Sequence, residues 1–204
     1  MTSRYAQLAF TPAVRGRQRL HGSRTTYARI EQGPEQADRF TPEEAEFIAT
    51  RDSLYLASTG ESGWPYVQHR GGPPGFLHVL DETTLAFADF RGNRQYITTG
   101  NLQGNDKVAL LLMDYPRRIR LKILGVATYD EDPAPELVRS LTTTGYRAIV
   151  ERVILIKLAA YDWNCPQHIT PRYTAKEVEE STSELRARIT WLEKENAALR
   201  ASLR

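Results

Sequence analysis

Three short stretches carry the residue types from which a binding site can be built. The first is Arg70-Gly71-Gly72, at the end of a β-rich run. Paired glycines let backbone approach a flat ligand closely, and the neighbouring arginine offers an anion a planar fork of donors. The second is Ala88-Asp89-Phe90-Arg91-Gly92-Asn93-Arg94, which leaves a strand-like run and enters a helical one. The first turn of a helix has free N–H groups that attract phosphate, and Asn93 and Arg94 add side-chain donors. Neither GxxxxGK[ST] nor GxGxxG occurs in the chain, so these are not the common nucleotide loops. The third is Asn164-Cys165-Pro166-Gln167-His168, a polar cluster after the last apolar run. Cys165 and His168 have the types of a nucleophile and its base, but Pro166 lies between them and no Asp or Asn orients the pair in a known signature. Contact with the edge of a ligand by Asn164 or Gln167 suits the cluster better. The four histidines, His21, His69, His78 and His168, lack metal-ligand spacing, and Cys165 is the single cysteine. A disulfide framework and a multi-cysteine metal site are therefore excluded. No side chain stands out as a catalytic acid or base.

The elements that must position these residues follow from periodicity. Thr41, Pro42 and Glu44 form a capping box with proline at the first helical position, which predicts a helix ending near Arg51–Asp52. Residues 53–59 and 64–70 then read as a hairpin turning at Gly60-Glu61-Ser62-Gly63, and 76–80 and 83–89 as a second pair. Residues 91–105 read as a loop and short helix, and KVALLLMD (107–114) as a strand buried on both faces. Residues 117–130 alternate Ile119, Leu121 and Ile123 with Arg118, Arg120 and Lys122, a half-buried strand with a basic face. A short helix over 134–145 and a last strand over 152–163 complete the set. Strands so closely spaced leave no room for serial βαβ crossovers, so a mainly β, mostly antiparallel barrel with short helices is expected.

The chain has 204 residues, 41% of them apolar and 25% charged, which suits one globular domain with appendages. Three parts are expected: a basic arm and linker over 1–40, the barrel over 41–173 and a C-terminal helix over 174–204. Residues 1–30 hold six arginines and no acid, while the remainder sums to −4. Such an arm could bind nucleic acid, but it has few aromatics and no nucleic-acid motif. An extension packed on the acidic body or on a partner subunit is the expected reading. No apolar run is long enough to span a membrane, and MTSRYAQLAF lacks the pattern of a secretion signal, so a soluble, cytoplasmic protein is expected. From Thr174 onward there is no Gly or Pro. Leu185, Leu192 and Leu199 recur every seven residues at position d, with Thr182, Ile189, Asn196 and Leu203 at a, which predicts a coiled coil. The stretch before it is too poor in fixed positive charge for a basic-zipper DNA reader.

From Ser53 to about Pro171 the chain resembles the pyridoxamine 5′-phosphate oxidase-like, FMN-binding split-barrel superfamily. Arg70-Gly71-Gly72 looks like that family's arginine-bearing, flavin-contacting strand end. Phe87-Ala88-Asp89-Phe90 and Gly92-Asn93-Arg94 look like the segments along the ring edge and phosphate. Arg120, in RIRLKILGVA, stands where a polar flavin contact would lie, and YDWNCPQHITPR resembles the ending of a flavin-nucleotide-binding subgroup. Gly92 and Asn93 depart from the oxidases' Ser-Arg, and the Trp-Arg pair that would hold pyridoxal phosphate is not apparent. The resemblance therefore implies a dimer with FMN between two split barrels more strongly than it implies vitamin B6 oxidation. It implies Arg70, Gly71, Gly72, Phe87, Ala88, Asp89, Phe90, Asn93, Arg94 and Arg120 as cofactor contacts, to which the polar cluster adds Asn164 and Gln167. The expected function is flavin-dependent oxidation or reduction of a small substrate. The alternative is a non-catalytic module for flavin, deazaflavin or haem, with His69 or His168 as an axial ligand in the last case.

Overall fold

The computed structural model describes residues 1–163 and 166–202. Seven strands form one sheet: β1 (Ser53–Thr59), β2 (Pro65–Gly71), β3 (Leu77–Asp81), β4 (Thr84–Phe90), β5 (Lys107–Asp114), β6 (Ile119–Asp130) and β7 (Val150–Trp163). Their order is β2-β1-β5-β6-β7-β4-β3, and every neighbouring pair is antiparallel. The helices are α1 (Ser3–Ala9), α2 (Pro12–Leu20), α3 (Arg24–Ile30), α4 (Pro42–Ala49), α5 (Ile97–Gly104), α6 (Pro135–Ser140) and α7 (Ala175–Ser202). The fold is a mainly β split barrel with short helices and a long C-terminal helix.

Alternation along the strands places one apolar face inward. Leu54 and Leu56 of β1, Leu110 and Leu112 of β5, Leu121 and Ile123 of β6, and Ile154 and Ile156 of β7 share one core with Phe87. Strands β6 and β7 are the longest, at 12 and 14 residues. At the Leu124/Gly125 register shift, a β-carbon on Gly125 would lie 2.5 Å from Ile156 Cγ2 and 2.8 Å from the Lys157 carbonyl. Only glycine lets the two strands approach so closely there.

The hairpins and the α4 capping box stand as the sequence indicates. Glu44 accepts from the Thr41 amide at 2.9 Å, while Thr41 Oγ1 caps the helix. Strand β5 differs from its expectation: Val108, Leu110 and Leu112 are buried, but Ala109, Leu111 and Met113 are only half covered. Its second face is the outer face of the barrel, which no element among the described residues fully covers. The arm is also more ordered than its polarity announces. Thr2 and Thr11 cap α1 and α2, and Glu31 binds both Arg15 and Arg24. Helix α1 packs on β7, and Lys122 of β6 lies over the Tyr5 ring. No helix among the described residues is long and apolar enough to cross a membrane.

Candidate functional site

The sheet is open between its two ends, and the opening is a cavity of about 200 Å³. Strand β2 supplies one wall. Tyr66, Gln68 and Arg70 alternate along it and so share a face. Phe87, Ala88, Asp89 and Phe90 of β4 supply the other wall, and the loop through Gly92, Asn93 and Arg94 into α5 forms the rim. Glu151 and Arg152, at the start of β7, close the back.

The charged groups are tied together. Arg70 crosses the opening to form an ion pair with Asp89. Asp89 faces Arg152 directly across the β4–β7 ladder, with its carboxylate 3.8 Å from Arg152 Nε. Arg152 also donates to Glu151 at 3.1 Å and to Thr99 at 3.4 Å, and its guanidinium lies 4.9 Å above the Tyr96 ring. Glu151 in turn accepts from Arg91 at 2.9 Å. Asp89 and Arg152 are buried, at 7% and 5% exposure. Burial pushes the Asp89 carboxyl up, against the pull of Arg70 and Arg152, and it pushes Arg70 down, against the pull of Asp89. Two residues lining this cavity, Arg70 and Arg152, each carry a buried Nε–H without a hydrogen-bond acceptor. A buried donor without a partner is costly. The lining carries three arginines (Arg70, Arg94, Arg152) against two carboxylates (Asp89, Glu151), so it is cationic.

The rim is strained. Arg94 and Tyr96 both have left-handed backbone, with φ of 61° and 55°. Asn93 Oδ1 accepts from the Gln95 amide at 3.2 Å, and Arg94 Nε donates to the Tyr96 hydroxyl at 3.2 Å, which raises the Arg94 pKa. Thr98 Oγ1 donates to Gln68 Oε1 at 2.9 Å and ties α5 to β2. Ile97, Thr98 and Thr99, in the first turn of α5, thus line the cavity.

The structure brings together Arg70, Gly71, Phe87, Ala88, Asp89, Phe90, Asn93 and Arg94 of the sequence-derived set. Among the described residues, Gly72, Arg120 and Gln167 do not line this cavity. Gly72 is a packing glycine, since its β-carbon would meet Phe76 Cβ at 2.7 Å. Arg120 lies on β6 with its Nε buried and unpaired, and Gln167 is exposed in a turn. Asn164 and Cys165 fall outside the described residues. Sequence reasoning missed Gln68 and Tyr66, which two-residue periodicity from Arg70 would have found. It also missed Glu151 and Arg152, for which no local signal exists, because only the β4–β7 pairing sets Arg152 opposite Asp89.

Residues 40–160 match the pyridoxamine 5′-phosphate oxidase family, and the chain belongs to that family. The fold is similar to that of tagged HupZ from Group A Streptococcus, at 16% identity, covering 66% of this chain and 99% of that one, with a TM-score of 0.51. A histidine-to-alanine variant of HupZ from the same source matches at 16% identity, covering 61% and 98%, with a TM-score of 0.50. An FMN-binding protein from Syntrophomonas wolfei subsp. wolfei matches at 13% identity, covering 72% and 97%, with a TM-score of 0.43. No curated protein matches the chain.

Proposed function

We propose that this family member binds FMN in the cavity between β2 and β4, and that it is a flavin-dependent oxidoreductase acting on a small substrate. The observation that carries the reading is the pair of buried, acceptor-less Nε–H groups of Arg70 and Arg152 in a cationic cavity. They fit an anionic ligand with acceptor atoms. Arg70, Arg94 and the start of α5 would hold the phosphate, and Phe87 to Phe90 would lie along the ring. When bound, FMN supplies hydride or electron transfer. The chain's own part is to bind and orient it, since both lining carboxylates are engaged by arginines. A second copy of the chain would cover the open side, giving a homodimer with the flavin at its interface.

The test is the visible spectrum of purified protein loaded with FMN and then desalted. The two bands of oxidised flavin should persist, bleach anaerobically with NADH or NADPH, and return in air. Retained flavin that neither nucleotide reduces would uphold binding and overturn the oxidoreductase. Loss of the flavin on desalting would overturn both. A haem module is the competing reading, and it would need a ligand other than His69, whose ring packs edge-on against Tyr55 on the face of β2 opposite Gln68 and Arg70. A Soret band after haem loading, with no flavin retention, would select it.

A further inference from the structure

The stripe of apolar residues along α7 takes no part in the cavity. We propose that it pairs with α7 of a second copy of this chain as a parallel, two-stranded coiled coil. The inference does not rest on FMN binding. The helix has 28 residues and none is buried. Leu185 is 65% exposed, Ile189 55%, Leu192 44% and Leu199 59%. A helix with so much apolar surface in water draws its stability from packing against something.

The pattern specifies the partner. Val178, Leu185, Leu192 and Leu199 occupy successive d positions, and Thr182, Ile189 and Asn196 occupy a. β-Branched Ile189 at a with leucine at d favours two strands, and an asparagine at a pairs with its own copy only when the two helices are parallel and in register. The flanks agree. Arg188, at g, faces Glu193 of the partner subunit at e. Glu195, at g, faces Arg200 of the partner subunit at e. Both contacts are attractive in this register. Arg188 is already held on its flank, with its guanidinium 4.1 Å above the Trp191 ring, which leaves its edge N–H groups free to donate. Ile189, Leu192, Glu193, Asn196 and Arg200 border a shallow groove along the helix, of the kind that receives a side chain from a facing helix.

The test uses the full chain in sedimentation velocity. Leu192→Asp should abolish the cross-link described below and, where the coil rather than the barrels holds the chains together, lower the weight-average mass about twofold, because a charge at a central d position splits the seam. The melting transition of the barrel should not move, since no α7 residue is buried. Register is read with Asn196→Cys in a Cys165→Ser background. Mild oxidation should link two chains into one band on a non-reducing gel. Glu193→Arg should weaken the assembly, and Arg188→Glu in the same chain should restore it. Persistence of both the wild-type mass and the Asn196→Cys cross-link in Leu192→Asp would overturn the proposal. A lowered mass without the Asn196→Cys cross-link would overturn its parallel register.

Discussion

At the scale of single residues, the site is a row of charges of alternating sign. Arg70, Asp89 and Arg152 reach the opening from three strands, and one carboxylate serves two guanidiniums. Arg152 also holds Glu151, and the spare donors of both arginines are Nε–H groups. Asp89→Asn keeps the shape and removes that one charge, leaving Arg70 without its ion-pair partner while Arg152 keeps only Glu151. We expect the variant to lose about 3 kcal/mol of stability, the cost of breaking a buried ion pair. FMN should then raise the melting temperature more in the variant than in the wild type, because the phosphate brings charge the row lacks. Thermal unfolding with and without FMN checks this. Equal melting temperatures for variant and wild type without ligand would show that the row carries no such tension.

At the scale of elements, α4 shows how a local signal serves a distant contact. Glu44 completes the capping box and is also buried, accepting from Trp163 Nε1 at 2.7 Å at the far end of β7. Burial pushes its carboxyl up, but the bonds from Thr41 and Trp163 outweigh burial and hold it below the ordinary glutamate value. A lowered carboxyl pKa gives stability that is present above the unfolded value and lost as pH falls through the folded one. Glu44→Gln should therefore cost about 1–2 kcal/mol at neutral pH. The gap between variant and wild type should close as pH falls below about 4.5. Denaturant melts at the two pH values test it, and a gap independent of pH would assign the loss to packing alone. The capping box was legible because its residues lie three apart. The hairpins were legible because each is closed by its own turn residues. The left-handed pair Arg94 and Tyr96 was not, since neither type favours that conformation and the surrounding contacts impose it. The half-covered face of β5 was not either, because an unbroken apolar run looks the same whichever face is covered.

At the scale of the whole molecule, the site exists only because β2 and β4, towards opposite ends of the sheet, border one cavity. Half of it could be read from the chain, since Arg70 and the 87–94 segment each sit at a strand end beside glycine. The other half could not, since Arg152 acquires its role through pairing with a strand sixty-odd residues earlier. Ordering of the arm was likewise hidden, because it depends on Glu31 and on contact with β6 and β7 rather than on its own composition. The lining of three arginines against two carboxylates is what the proposed binding of a phosphate-bearing ligand rests on. The most direct measurement is the ratio of dissociation constants for FMN and riboflavin, which differ only by that phosphate. We expect the wild-type chain to bind FMN at least about tenfold more tightly, the worth of one charge-assisted bond, and Arg94→Ala to narrow the ratio while leaving riboflavin affinity unchanged. Equal affinities for the two flavins in the wild-type chain would contradict a phosphate-holding cavity.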